Sequence, residues 1–180
     1  LTLPVYVAGY THGLAAGGQM GLAITLLNVS AAVFSPVGLL LLPASAARIA
    51  SGDHSGLIAQ VDRTVRFSLI AAFVLLIGFE LLAPWLLGWY LGLPGAEYVP
   101  QARMLFLGAP AFAFFVALRS LLDVYHVVPR NGLNLVASLL LMLTGCAVHA
   151  ALDMPPLFLG AVVVGALWYL AWRTLRDVLF

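Results

Sequence analysis

Arg119 and Asp123 stand four residues apart inside one long apolar run, residues 101–125. That spacing puts both side chains on one helix face, where a guanidinium and a carboxylate neutralise each other. An ionisable residue at a membrane-helix centre costs roughly 2.5–3.5 kcal/mol on insertion scales, and less toward the ends. The pair therefore either lines water and meets an anion such as a phosphate, or closes on itself as an internal salt bridge. Pro129, Arg130, Asn131 and Gly132 follow and stop the helix in a turn. Glu80 is a second candidate, near the middle of another apolar run. A lone carboxylate at that depth faces a cavity or carries a proton, because desolvation disfavours the charged form. Arg48, at the end of a third run, is placed to touch lipid phosphate or to anchor the helix at the interface. His12 follows Tyr10 and Thr11 near the start, and Asn28 shares a run with Ser30 and Ser35. These polar groups either wet a cavity or bond between helices. His149 and Asp153 fall at a helix end where solvation suffices. No His, Cys or carboxylate set has metal-ligand spacing, and the single Cys146 excludes an internal disulfide.

The elements that must hold these groups follow from composition. The 180 residues are 63% hydrophobic and 8% charged, with a mean hydropathy of +1.08. A water-soluble domain carries about 25% charged residues, so this surface has to face lipid. The net charge of +1, with no basic run, gives no reason for a nucleic-acid partner. The chain reads as an all-α membrane protein, a single helical unit over residues 1–180. Its expected spans are a partial one at 3–14 and five full ones at 20–47, 67–90, 101–125, 132–151 and 157–172. Pro36, Pro43, Pro84 and Pro110 are the expected kinks. Gly17, Gly18, Gly145, Gly160 and Gly165 are the expected close-packing sites. Residues 57–66 space Leu57, Ile58, Val61 and Val65 as a short amphipathic helix lying on the membrane surface. The chain opens at Leu1 in apolar sequence with no signal-peptide pattern, and is read as a fragment or one half of a longer protein.

Arginine placement gives an orientation. Alternating the spans puts Arg48, Arg63, Arg66, Arg130, Arg173 and Arg176 on one side and Arg103 on the other. Arg63, Arg66, Arg130, Arg173 and Arg176 are then cytoplasmic interface anchors, and the C-terminus is cytoplasmic. Trp85, Trp89 and Tyr90 mark the outer interface, and Trp168, Tyr169 and Trp172 the inner one.

Three stretches resemble the C-terminal half of the Wzx-like lipid-linked polysaccharide flippases of the MOP exporter superfamily. The first, LLLLPASAARIASGD, is similar to the family's long helix closing with a Pro, a small-polar run and a basic residue before a Gly-Asp turn. Those positions are Pro43, Ser45, Arg48, Gly52 and Asp53. The second, LLAPWLLGWYLGLPGAEYVPQARML, resembles the family's Ala-Pro helix end, a Gly, and a Tyr opening the next helix. The third, ALRSLLDVYHVVPRNGLNLVASLLL, resembles its helix end, basic turn and Asn-containing helix start. The likeness covers residues 18–172. It implies one lobe of a two-lobe transporter that flips a lipid-linked glycan across the bacterial inner membrane by alternating access. The other lobe would come from a missing N-terminal half or a second copy. Arg119, Asp123, Arg48, Glu80, His12 and Asn28 are then the cavity or gating candidates.

No phosphate-binding Gly-Lys loop, Gly-x-Ser-x-Gly elbow or His-Glu-x-x-His occurs, so neither an enzyme nor a bound cofactor is expected. A coupling ion, H⁺ or Na⁺, is the one small partner left open. The alternatives are a multidrug-type exporter of the same superfamily and a membrane scaffold subunit that transports nothing. A transporter lobe should turn its ionisable groups onto one inward face. A scaffold should pair them off beneath an apolar exterior.

Overall fold

Apolar helices dominate because no backbone polar group can go unbonded in lipid. The computed structural model describes residues 1–91, 97–125 and 129–179, with the backbone alone at residues 54, 120, 121, 123–125 and 179. Among the described residues there are eight helices and no strand. They are α1 (Leu3–His12), α2 (Leu14–Ala32), α3 (Ser35–Ala50), α4 (His54–Leu91), α5 (Val99–Phe106), α6 (Ala109–Tyr125), α7 (Arg130–Leu152) and α8 (Pro156–Leu179). Four helical stretches are long and apolar enough to cross a membrane, or five if the bent α5–α6 pair counts as one span.

Several boundaries differ from the expected spans, each for a local reason. The stretch expected at 20–47 begins at Leu14, because Gly13 (φ 86°) turns α1 into α2 in a backbone region that favours glycine. It then breaks at Val33–Phe34. Pro36 sits in the first turn of α3, where no N–H is needed. Its ring crowds the carbonyl four residues earlier, Ala32, where α2 ends. The expected span 101–125 behaves alike. Pro110 is in the first turn of α6, α5 ends four residues before it at Phe106, and the two helices meet at 41°. Residues 57–66 do not lie on a membrane surface as a separate helix. They continue into α4, whose 38 residues reach roughly 57 Å, well beyond a ~30 Å hydrocarbon core. Leu57 and Val61 are buried in the bundle and Val65 half-buried, so these three pack on protein while Ile58 stays exposed. The expected span 157–172 runs on to Leu179, because Arg173 and Asp177 are tied to Asn134 of α7.

Helix α6 is the centre. Residues 109–118 are buried except for half-buried Phe112, and Ala109, Ala111, Ala113 and Ala117 keep that helix slim enough for its neighbours to close in. Helices α2, α3, α4, α7 and α8 all pack on it. The exterior is apolar: Ile70, Phe73, Val74, Ile77 and Leu81 of α4 and Val136, Leu140 and Leu143 of α7 are exposed. α1 folds back on α2 with Gly17 against the backbone of Gly9, and α7 meets α8 with Gly145 against Val162. Gly160 meets Met104 and Gln101 of α5. Gly18 and Gly165 have open space beside them and are not packing sites. Gly108, beside Leu167 of α8, is.

Candidate functional site

Among the described residues, four groups of charged and polar side chains stand in places apart from one another, besides the Arg66–Asp62 pair on α4. The first is the turn between α3 and α4. Asp53 accepts hydrogen bonds from the Gly56 N–H (2.9 Å) and the Ser55 hydroxyl (3.2 Å), capping α4. Arg48, in the last turn of α3, donates to the other carboxylate oxygen at 2.7 Å. The Gly56 amide first, with Ser55 and Arg48 adding to it against a desolvation penalty, holds the Asp53 carboxyl below its ordinary range. A side chain at position 56 would strike the Arg48 guanidinium and the Asp53 carboxylate and push that ion pair aside.

The second place lies between α4 and α5. Pro84 has no N–H, so the Glu80 carbonyl four residues earlier lacks its helical donor. Arg103 Nη2 supplies one at 2.6 Å. The same guanidinium sits 3.3 Å from Glu80 Oε2 through Nε, an electrostatic contact without hydrogen-bond geometry. Glu80 is thus not a lone carboxylate, although its Oε1 is buried without a hydrogen-bond partner. Nearby, buried Gln101 donates to Met20 Sδ at 3.4 Å.

The third place is the shared end of α7 and α8. Asn134, fully buried, donates to Asp177 (2.9 Å) and accepts from Arg173 Nε (3.0 Å). Arg173 also donates to the Tyr169 hydroxyl, and the Arg176 guanidinium lies over the Trp172 ring, 5.4 Å from its centroid. The fourth place, at the opposite end, joins His12 to His149. Their ring centroids are 5.1 Å apart, and His12 Nε2 donates to the Met154 carbonyl at 2.9 Å.

Among the sequence candidates, Arg48, Glu80 and His12 each fall in a different one of these places. Asn28 is exposed on α2. Arg119 is exposed on α6, and the Asp123 side chain lies outside the described residues. Of the interface anchors, Arg63 and Arg130 are exposed, and Arg66 pairs with Asp62 at 2.9 Å. Arg173 and Arg176 belong to the α7–α8 network. Trp168 lies midway along α8, and its indole N–H donates to the Leu107 carbonyl at the α5–α6 corner, 3.1 Å away.

Sequence reasoning missed the buried stripe of α7. Asn134, Ser138, Met142, Cys146 and His149 recur every three or four residues and all face inward. The signal was present in part: Asn134, Ser138 and His149 are polar positions at helical spacing within an apolar run. Arg103 was missed as the partner of Glu80, although a proline four residues after Glu80 marks that carbonyl as short of a donor. Three grooves of about 230–320 Å³ are lined almost wholly by apolar side chains; the one between α2, α4 and α5 holds Leu26, Val29, Phe79, Leu86, Trp89 and Phe106. Comparison with protein families, curated proteins and solved structures finds no match to this chain.

Proposed function

We propose that the chain is one lobe of an inner-membrane transporter that flips a lipid-linked oligosaccharide by alternating access. The observation that carries this reading is Arg119. It is an exposed residue on the most buried helix of the bundle, six residues before α6 ends, about 9 Å from that end. Facing acyl chains, such a guanidinium would cost several kcal/mol. Facing a water-filled cleft against a second lobe, it stays hydrated and can grip a phosphate with two parallel bonds. The broken unit α5–α6 adds support, since interrupted helices are tolerated at membrane depth where protein or a cavity covers them. On this reading the arginine-rich end is cytoplasmic, and the second lobe comes from further chain or a second copy.

A second reading, a membrane scaffold subunit, rests on a different observation. Arg48–Asp53, Arg66–Asp62, Glu80–Arg103 and Arg176–Asp177 are settled as pairs, and the grooves are apolar. Reconstitution of the full-length protein in proteoliposomes with a fluorescent polyprenyl-pyrophosphate glycan separates the two. Translocation that falls at least tenfold in R119Q supports the flippase lobe. Absence of translocation by the wild-type protein, with the bundle folded, leaves the scaffold.

A further inference from the structure

The α1–α2 and α7–α8 hairpins are joined at the arginine-poor end by two imidazoles whose hydrogen atoms can be placed from their neighbours. Thr11 spends its only hydroxyl proton on the Val7 carbonyl, 2.9 Å away. Its oxygen can then only accept from His149 Nε2, 3.3 Å away, so that nitrogen carries the hydrogen. The Met154 carbonyl likewise can only accept, so His12 Nε2 carries a hydrogen too. Both rings are left with Nδ1 as the basic atom. The Nδ1 of His149 is buried, on a residue with no exposed surface, and has no hydrogen-bond partner among the described residues.

We infer that His149, packed against His12, is a proton-binding site that fastens the two hairpins while neutral and loosens them on taking up a proton. In the closed arrangement a proton on His149 Nδ1 would create a donor with no acceptor and a charge with no water. The ring of Phe158 stacks on one side of His149, its centroid 6.2 Å away, and offers no oxygen. The titratable and charged groups facing the pair are few. α1 brings His12 itself and exposed Tyr10, and the cap of α7 brings exposed Asp153. α2 and the first three turns of α8 carry no acid or base. Asp153 favours a single imidazolium, and the proximity of the two rings opposes a second. A proton therefore favours the arrangement in which the hairpins part and water reaches Nδ1. This site stands apart from the transport reading, since it concerns how two hairpins of this chain are held.

The test is hydrogen–deuterium exchange of the full-length protein in lipid nanodiscs, from about pH 8 to about pH 5, bracketing the ordinary imidazole value of about 6.5. After correction for intrinsic exchange, the opening of the segments around residues 9–16 and 150–157 should rise on acidification. One proton allows at most about a tenfold rise per pH unit. H149Q keeps an amide N–H where Nε2 stood but has nothing to titrate, so it should stay closed across the window. H12Q, which keeps the bond to the Met154 carbonyl, should retain the His149 response. A pH-independent wild type, or an H149Q response equal to wild type, overturns the site. If H149Q does not fold, ¹⁵N spectra of the wild-type histidines decide: His149 as the neutral Nε2–H tautomer at about pH 8 supports the site, and the Nδ1–H tautomer overturns it.

Discussion

Pro84 and Pro110 pose the same problem to the backbone and meet different answers. Each removes one amide donor and leaves the carbonyl four residues earlier without its helical bond. At Pro84 the neighbouring α5 sends Arg103 to the Glu80 carbonyl, and α4 runs on without a break. At Pro110 no side chain among the described residues donates to the Phe106 carbonyl; α5 ends there, and the chain bends 41° before α6. The Leu107 carbonyl at that corner is met by the indole of Trp168. At Pro84 continuation goes with a side chain from another helix on the freed carbonyl, whereas Pro43 lies inside α3, which continues past it without such a donor among the described residues.

The largest effect should come from R103L. It strips the Glu80 carbonyl of its donor and leaves the carboxylate without its ion partner, at about 2–4 kcal/mol in denaturant unfolding of the protein in micelles. E80Q keeps the carbonyl bond and loses only a partly exposed pair, so its cost should be about 1 kcal/mol or less. Equal losses would show that the carboxylate, not the proline-freed carbonyl, is what Arg103 serves. P84A restores the amide, and R103L should then cost clearly less than in wild type, a coupling a double-mutant cycle reads directly.

At the corner, W168F keeps an aromatic ring and removes the indole donor to Leu107. The expected loss is about 1–3 kcal/mol in the same unfolding measurement. G108A should cost a similar amount, about 1–3 kcal/mol, because the new methyl would meet Leu167 Cδ1 at 2.9 Å and the Leu105 carbonyl at 3.2 Å. If both variants are silent, the bend is held by Pro110 alone.

The smallest effect belongs to the turn between α3 and α4, which uses a cap rather than a proline. Asp53 is held below its ordinary value, so its contribution is fully present above the unfolded carboxyl value of about 3.9. That contribution is lost as pH falls through the lower folded value. Exchange protection of the Gly56 amide should fade only in that acidic range, and D53A should remove it at every pH.

Much of this was legible residue by residue. The apolar runs and the four prolines stand in the chain itself, because helical apolar periodicity is local and proline lacks an N–H wherever it occurs. The Asp53 cap was only half legible: the Gly-Asp turn was visible, the reach of Arg48 across it was not. The role of residues 57–66 was misjudged, because a stripe of leucine and valine packs equally well on lipid or on protein, and only the bundle decided for protein.

The amino-acid order by itself determined that the chain is helical with stretches long and apolar enough to cross a membrane, where prolines interrupt its backbone bonding, and which few side chains are too polar to be idle. The tertiary structure alone decided which partner each of those side chains meets: Arg103 with Glu80 rather than with lipid headgroups, Trp168 with the Leu107 carbonyl, His12 with His149 rather than with water. Helical periodicity is local and survives in one dimension. A hydrogen bond between α4 and α5, or between α1 and α7, depends on how whole helices tilt and cross, and that is set by the sum of many apolar contacts that no single position encodes.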